Sequence, residues 1–115
     1  MKPYAAYAIG AALVDTEIQV TEAELGAMKV EKGMMTLVDQ ARQTDILAQL
    51  PDHPIRASHT SGGSAGNSMI ATALMGAPTY MSCKVAQDAD GDIYLADLEQ
   101  SGVAHGLNEQ REEGV

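Results

Sequence analysis

Apolar residues run almost without interruption from Tyr4 to Val14 and are mostly small, as expected of a strand buried on both faces. Asp15 ends the run. Glu17-Ile-Gln-Val20 alternates polar with apolar, predicting a half-exposed strand of a second, smaller sheet. Thr21-Glu-Ala-Glu24 fits a capping box that opens a short helix through about Met28. Lys32-Gly33 reads as a turn and Met34 to Val38 as another short strand. Asp39 can cap a helix from Gln40 to Leu50, with Ile46, Leu47 and Leu50 on one face, and Pro51-Asp-His-Pro54 stops it.

Ile55 to His59 reads as a strand that delivers the chain to Ser61-Gly-Gly-Ser-Ala-Gly-Asn67, where a helix begins after Ser64 and lasts until Gly76-Ala-Pro78. Thr79 to Val85 is a strand. A further helix starts at Asp90, places Ile93, Tyr94, Leu95 and Leu98 at helical spacing, and stops at Gly102. Strand, helix, strand, helix in this half predicts an α/β fold with a mostly parallel sheet flanked by helices. The strands expected between Glu17 and Val38 do not fit that layer and suggest a small β flap.

Composition narrows the function classes. The chain of 115 residues and 12.1 kDa supports one modest core, and its formal net charge of −9 opposes phosphate backbones and anionic lipid. Nucleic acid and membrane are thus not expected partners. Cys83 is the only cysteine, so no intramolecular disulfide can form, which fits a reducing cytoplasm. Trp and Phe are absent while Met occurs seven times, which makes methionine the expected gap filler of the core, with a ligand-facing role open for Met34 or Met35.

The chemistry concentrates at the glycine pair. Glycine lets backbone N–H groups approach a ligand closely, and the first helical turn supplies unpaired donors and partial positive charge. Asn67 adds a side chain that both donates and accepts. A capping role alone also accounts for Gly and Ser at a helix start. Asp15 and Gly62-Gly63 both fall just past predicted strands, and ligands of open parallel sheets bind at the carboxyl ends of strands. One crevice could then hold them, with the carboxylate accepting hydrogen bonds from neighbouring hydroxyls of a sugar; the plainer reading of Asp15 is a strand-end turn residue. His53, His59 and His105 are dispersed, Cys83 sits inside a predicted strand, and Glu109 to Glu113 reads as a solvated charge cluster. Neither GxGxxG nor GxxxxGK is present.

Four segments in order resemble the ribokinase-like, or PfkB carbohydrate kinase, family, in its adenosine kinase-like form. Ile9-Gly-Ala-Ala-Leu-Val-Asp15 is similar to its first strand, and Glu31-Lys-Gly-Met-Met-Thr-Leu-Val-Asp39 to its lid segment. Ser61 to Asn67, with Met75-Gly76, resembles its first glycine signature, and Lys84 to Gly91 running on to Val103 resembles its VGDDxxG…LxxxGV stretch. Two positions depart from the pattern: Ala11 stands where many adenosine kinase-like members carry Asn, and Ala86 replaces a usual Gly.

The resemblance implies a partial ribokinase-like fold. Residues 1–115 would be the N-terminal part of a kinase domain, with lid strands approximately within 16–38 and 55–60. It implies that Asp15, Gly62, Gly63 and Asn67 hold a sugar or nucleoside acceptor, that ATP and Mg2+ serve the full-length enzyme, and that none of the catalytic residues lie here. The family's GAGD-type loop with its general-base aspartate is not found in the sequence. The 115-residue chain is therefore expected to be inactive alone, with Lys84 and Arg56 as solvated charges rather than phosphate clamps. A second class stays open, a non-catalytic module that homodimerises through the lid strands.

Overall fold

The computed structural model describes residues 3–50 and 58–107. In chain order the elements are β1 (Ala6–Ile9), β2 (Leu13–Glu17), α1 (Glu22–Ala27), α2 (Gln40–Ala48), β3 (Ser58–Gly62), α3 (Ser64–Leu74), β4 (Thr79–Ser82), α4 (Ala89–Gln100) and β5 (Val103–Ala104). They fall into two compact units, Met1–Thr16 with Ser58–Val115, and Glu17–Ala57.

The first unit is built on a parallel sheet of order β1-β4-β5, with Ala6 opposite Thr79, Ile9 opposite Ser82 and Thr79 opposite Val103. Strand alternation sends Ala6, Ala8, Thr79, Met81 and Val103 to one face. On that face Met69 of α3 and Tyr94, Leu95 and Leu98 of α4 complete the core around Met81. The small residues of the opening run are explained by close packing, since a Cβ on Gly10 would fall 2.5 Å from the Cβ of Ala65 in α3.

Burial on both faces does not hold for the opening run. It forms two strands parted at Gly10–Ala12, and β1 exposes Tyr7 (58 %) and Ile9 (81 %) on its other side. β2 belongs to a separate two-stranded sheet with β3. The helix expected from Asp90 begins one residue earlier because Asp88 is the N-cap, accepting from Gly91 N–H at 2.8 Å. The short β5 closes the sheet where only a helix stop was expected.

The second unit holds α1 and α2. The capping box forms as the sequence predicts: Thr21 N–H donates to Glu24 Oε2 at 2.7 Å, and Glu24 N–H to Thr21 Oγ1 at 3.3 Å. At the other end Lys29 N–H donates to Gly26 C=O and Val30 N–H to Leu25 C=O, a Schellman closure that holds Lys29 at φ 55. Asp39 caps α2 through Arg42 N–H at 2.8 Å, and the Arg42 guanidinium donates to Met28 C=O. Of the two strands expected between Glu17 and Val38 neither forms as such: β2 stops at Glu17, residues 18–20 and 34–38 form no strand, and Met35 (88 %) and Leu37 (90 %) stand in solvent. Met28, Met69 and Met81 are buried as core fillers, whereas Met34, Met35 and Met75 are not. The Pro51–Pro54 stop, the strand residues Ile55–Ala57 and the Glu109–Glu113 cluster lie outside the described residues. Among the described residues no helix is long and apolar enough to cross a membrane.

Candidate functional site

Asp15 and the glycine pair come together, by a different route from the one the sequence suggests. Asp15 sits in the middle of β2 rather than past a strand end, and β2 pairs with β3, whose last residue is Gly62. The carboxylate lies directly against that glycine: a Cβ on Gly62 would fall 2.4 Å from Oδ2 and 2.9 Å from Oδ1. Any larger residue there would push the carboxylate aside.

Gly63 is the N-cap of α3 at φ 88 and ψ 144, a conformation essentially restricted to glycine. Its own Cβ would meet Ala11 C=O at 3.2 Å. No side chain caps this helix, and the Gly63 carbonyl accepts from Asn67 N–H at 3.0 Å. The N–H groups of Ser64, Ala65 and Gly66 thus have no acceptor within the helix. Asn67 completes the first turn and is exposed. A carboxylate acceptor, a row of N–H donors at the positive end of a helix, and an amide that does both are complementary to vicinal hydroxyls.

Two positioning residues escape the sequence reading. Asp97 of α4 accepts from Ser61 N–H at 2.8 Å, which ties down β3 just before the glycines. Tyr94 of α4 sets its hydroxyl under α3, where a Cβ on Gly66 would come within 2.7 Å of it. Neither has a local signal, because both act on residues nearly thirty or more positions away.

Tyr94 also floors a second cleft of about 210 Å³, walled by Ala12, by Leu13 and Val14 at the start of β2, and by Lys84 to Ala86. Its hydroxyl makes no full hydrogen bond among the described residues. Burial, reinforced by the neighbouring Cys83 thiol, pushes the phenol up to about 12. Burial likewise pushes the Cys83 thiol up, partly offset by Tyr94, which argues against a nucleophile. Lys84 is exposed. His105 pairs with Glu99 at 3.1 Å; His53, Arg56 and the His59 side chain lie outside the described set. Among the described residues no three His, Cys, Asp or Glu side chains could hold a metal ion.

The chain is similar to known kinases. The pfkB family carbohydrate kinase model matches residues 27–114. A probable sugar kinase from Rhizobium etli CFN 42 superposes with TM-score 0.75 at 27% identity, over 96% of this chain and 32% of its own. Adenosine kinase from Sinorhizobium meliloti gives 0.74 at 28%, again over 96% and 32%. Adenosine kinase from Trypanosoma brucei brucei, at 22% identity, shares the fold with TM-score 0.73 over 100% of this chain and 34% of its own. The chain thus spans about a third of the length of these proteins. No protein of curated function matches it.

Proposed function

The chain belongs to the pfkB family of carbohydrate kinases, and from that membership we propose that its glycine turn holds the acceptor for phosphoryl transfer from ATP, a sugar or the ribose of a nucleoside. The contact between the Asp15 carboxylate and Gly62 carries this reading. Asp15 accepts from two neighbouring hydroxyls, the first-turn N–H groups of α3 donate to an oxygen of the same ring, and Asn67 orients the rest. A nucleoside of the adenosine type is the favoured acceptor, supported by the 28% identical adenosine kinase.

Within this chain the derived chemistry ends at binding and orientation. No step through ATP or Mg2+ is assigned to the described residues, and on the family reading the 115 residues alone transfer no phosphate. On the same reading the segments 16–38 and 55–60 act as a lid whose closure excludes water, for which the exposed apolar strip around Met35 and Leu37 speaks. Calorimetric titration of the chain with adenosine, ribose and fructose tests the acceptor site. Heat with at least one of them, lost in Asp15→Ala, is expected; equal heats in both proteins would refute it. Turnover in an ATP-dependent phosphorylation assay of the chain alone would refute the inactivity.

The same exposed strip favours a second reading, a homodimer formed through residues 34–38. It rests on that apolar surface and not on strand pairing, since no strand forms there. A concentration-independent monomer mass in sedimentation would dismiss it.

A further inference from the structure

Two consecutive glycines are the least restrained pair a chain can carry, and a turn that must be ordered before it can hold a ligand loses affinity to that ordering. The Gly62-Gly63 turn has no side-chain cap of its own. Restraint reaches it from α4. Tyr94 and Asp97 stand three residues apart on that helix and so share a face. On one side of the glycines Asp97 accepts from Ser61 N–H at 2.8 Å, a partly buried and charge-assisted bond. On the other side the Tyr94 hydroxyl packs beneath Gly66 in the first turn of α3. Tyr94 is 1 % exposed, and Leu95 and Leu98 beside it are buried with Met81, so α4 cannot shift without opening the core.

We propose that α4 clamps the acceptor turn from both ends. Asp97 and Tyr94 are its positioning residues: they fix Ser61 and Gly66, and thereby hold Gly62 against Asp15 and the first-turn N–H groups of α3 in line before any ligand arrives. Both act through the backbone rather than on the acceptor itself. The consequence for binding rests on the acceptor reading, because a turn already in its bound shape loses less to ordering. Gly66 belongs to the same device. A Cβ there would fall 2.7 Å from the Tyr94 hydroxyl oxygen but 3.6 Å from Cζ, so the hydroxyl alone requires glycine at that position. Asp97 thus tethers the chain ahead of the glycines, and Tyr94 sets the height of the helix behind them.

The test follows amide hydrogen exchange at Ser61–Gly63 without ligand, then calorimetric titration with adenosine, ribose and fructose, with thermal melting of every variant to verify folding. Asp97→Ala is expected to speed exchange at Ser61 and to weaken acceptor binding about tenfold. Asp97→Asn keeps an oxygen that can accept and should stay within about threefold of the wild type. Gly66→Ala should also weaken binding, and adding Tyr94→Phe to it should restore binding by removing the clashing oxygen. Val103→Ala trims the same core away from the turn; it should lower the melting point and leave affinity unchanged. Unaltered Ser61 exchange in Asp97→Ala, no recovery in Asp97→Asn or in the double variant, or an affinity loss in Val103→Ala equal to that of Asp97→Ala would each overturn the clamp. Exchange is read without ligand, so it decides the clamp even where the wild-type chain gives no heat and the acceptor reading fails.

Discussion

Replacing Gly62 with Ala separates ligand binding from stability, because the two glycines of the pair are constrained by different neighbours. At Gly62 the added methyl would lie 2.4 Å from Asp15 Oδ2 and 2.8 Å from Cγ. An ordinary contact needs about 3.4 Å, so the carboxylate must retreat by about 1 Å, and a shift of that size removes hydrogen bonds made by a charged group, each worth about 1.5–3 kcal/mol. Acceptor affinity should fall roughly 10- to 100-fold. Asp15 is exposed and can rotate away, so the folding cost is only that of an imperfect rotamer, about 1 kcal/mol. Gly63→Ala meets backbone instead, with Ala11 C=O at 3.2 Å and a φ of 88, costing about 1–3 kcal/mol of stability. Calorimetric titration with adenosine, ribose and fructose and thermal melting of both variants make the comparison. Wild-type affinity in Gly62→Ala, or a melting point depressed further than in Gly63→Ala, would refute the assignment of Asp15 as the group that glycine accommodates.

Three further outcomes follow from the packing. Met81→Ala removes a fully buried side chain from the centre of the sheet and should cost about 2–5 kcal/mol in denaturant unfolding. Lys29→Gly relieves a left-handed residue at φ 55; an αL penalty of about 1–2 kcal/mol set against the entropy of a new glycine leaves about 0.5 kcal/mol of stabilisation, readable as a higher melting point. Tyr94 binds its proton more tightly folded than unfolded, since its pKa is raised from 10.0 to about 12. Its contribution is therefore complete below pH 10 and is lost as pH rises from there toward 12, on the order of 2 kcal/mol. Phenolate absorbance against pH, compared with Tyr94→Phe, should show the delayed titration; a Tyr94→Phe variant with the same alkaline unfolding profile would count against it.

Local chemistry was legible in the sequence wherever a few neighbouring residues decide the outcome. The Thr21–Glu24 capping box, the Asp39 cap and the turn at Gly33 each depend on hydrogen bonds or a φ sign set within three or four residues. So do the α/β alternation and the glycine turn into α3, and the ordered segments suffice for the family resemblance. Tertiary structure decided the rest. The run from Tyr4 to Val14 has no local mark for its break at Gly10–Ala12, because close packing of α3 on Gly10 and the pairing of β2 with β3 impose it. Residues 34–38 have strand-like composition but no described strand to pair with, and a strand without ladder partners gains nothing from its propensity. Asp15 meets Gly62 for a reason other than a place past a strand end: carboxylate and glycine come together because sheet pairing brings β2 to β3. Which face of the parallel sheet the described helices α3 and α4 cover follows from crossover handedness and strand order, and strand order is a long-range property that no local pattern encodes.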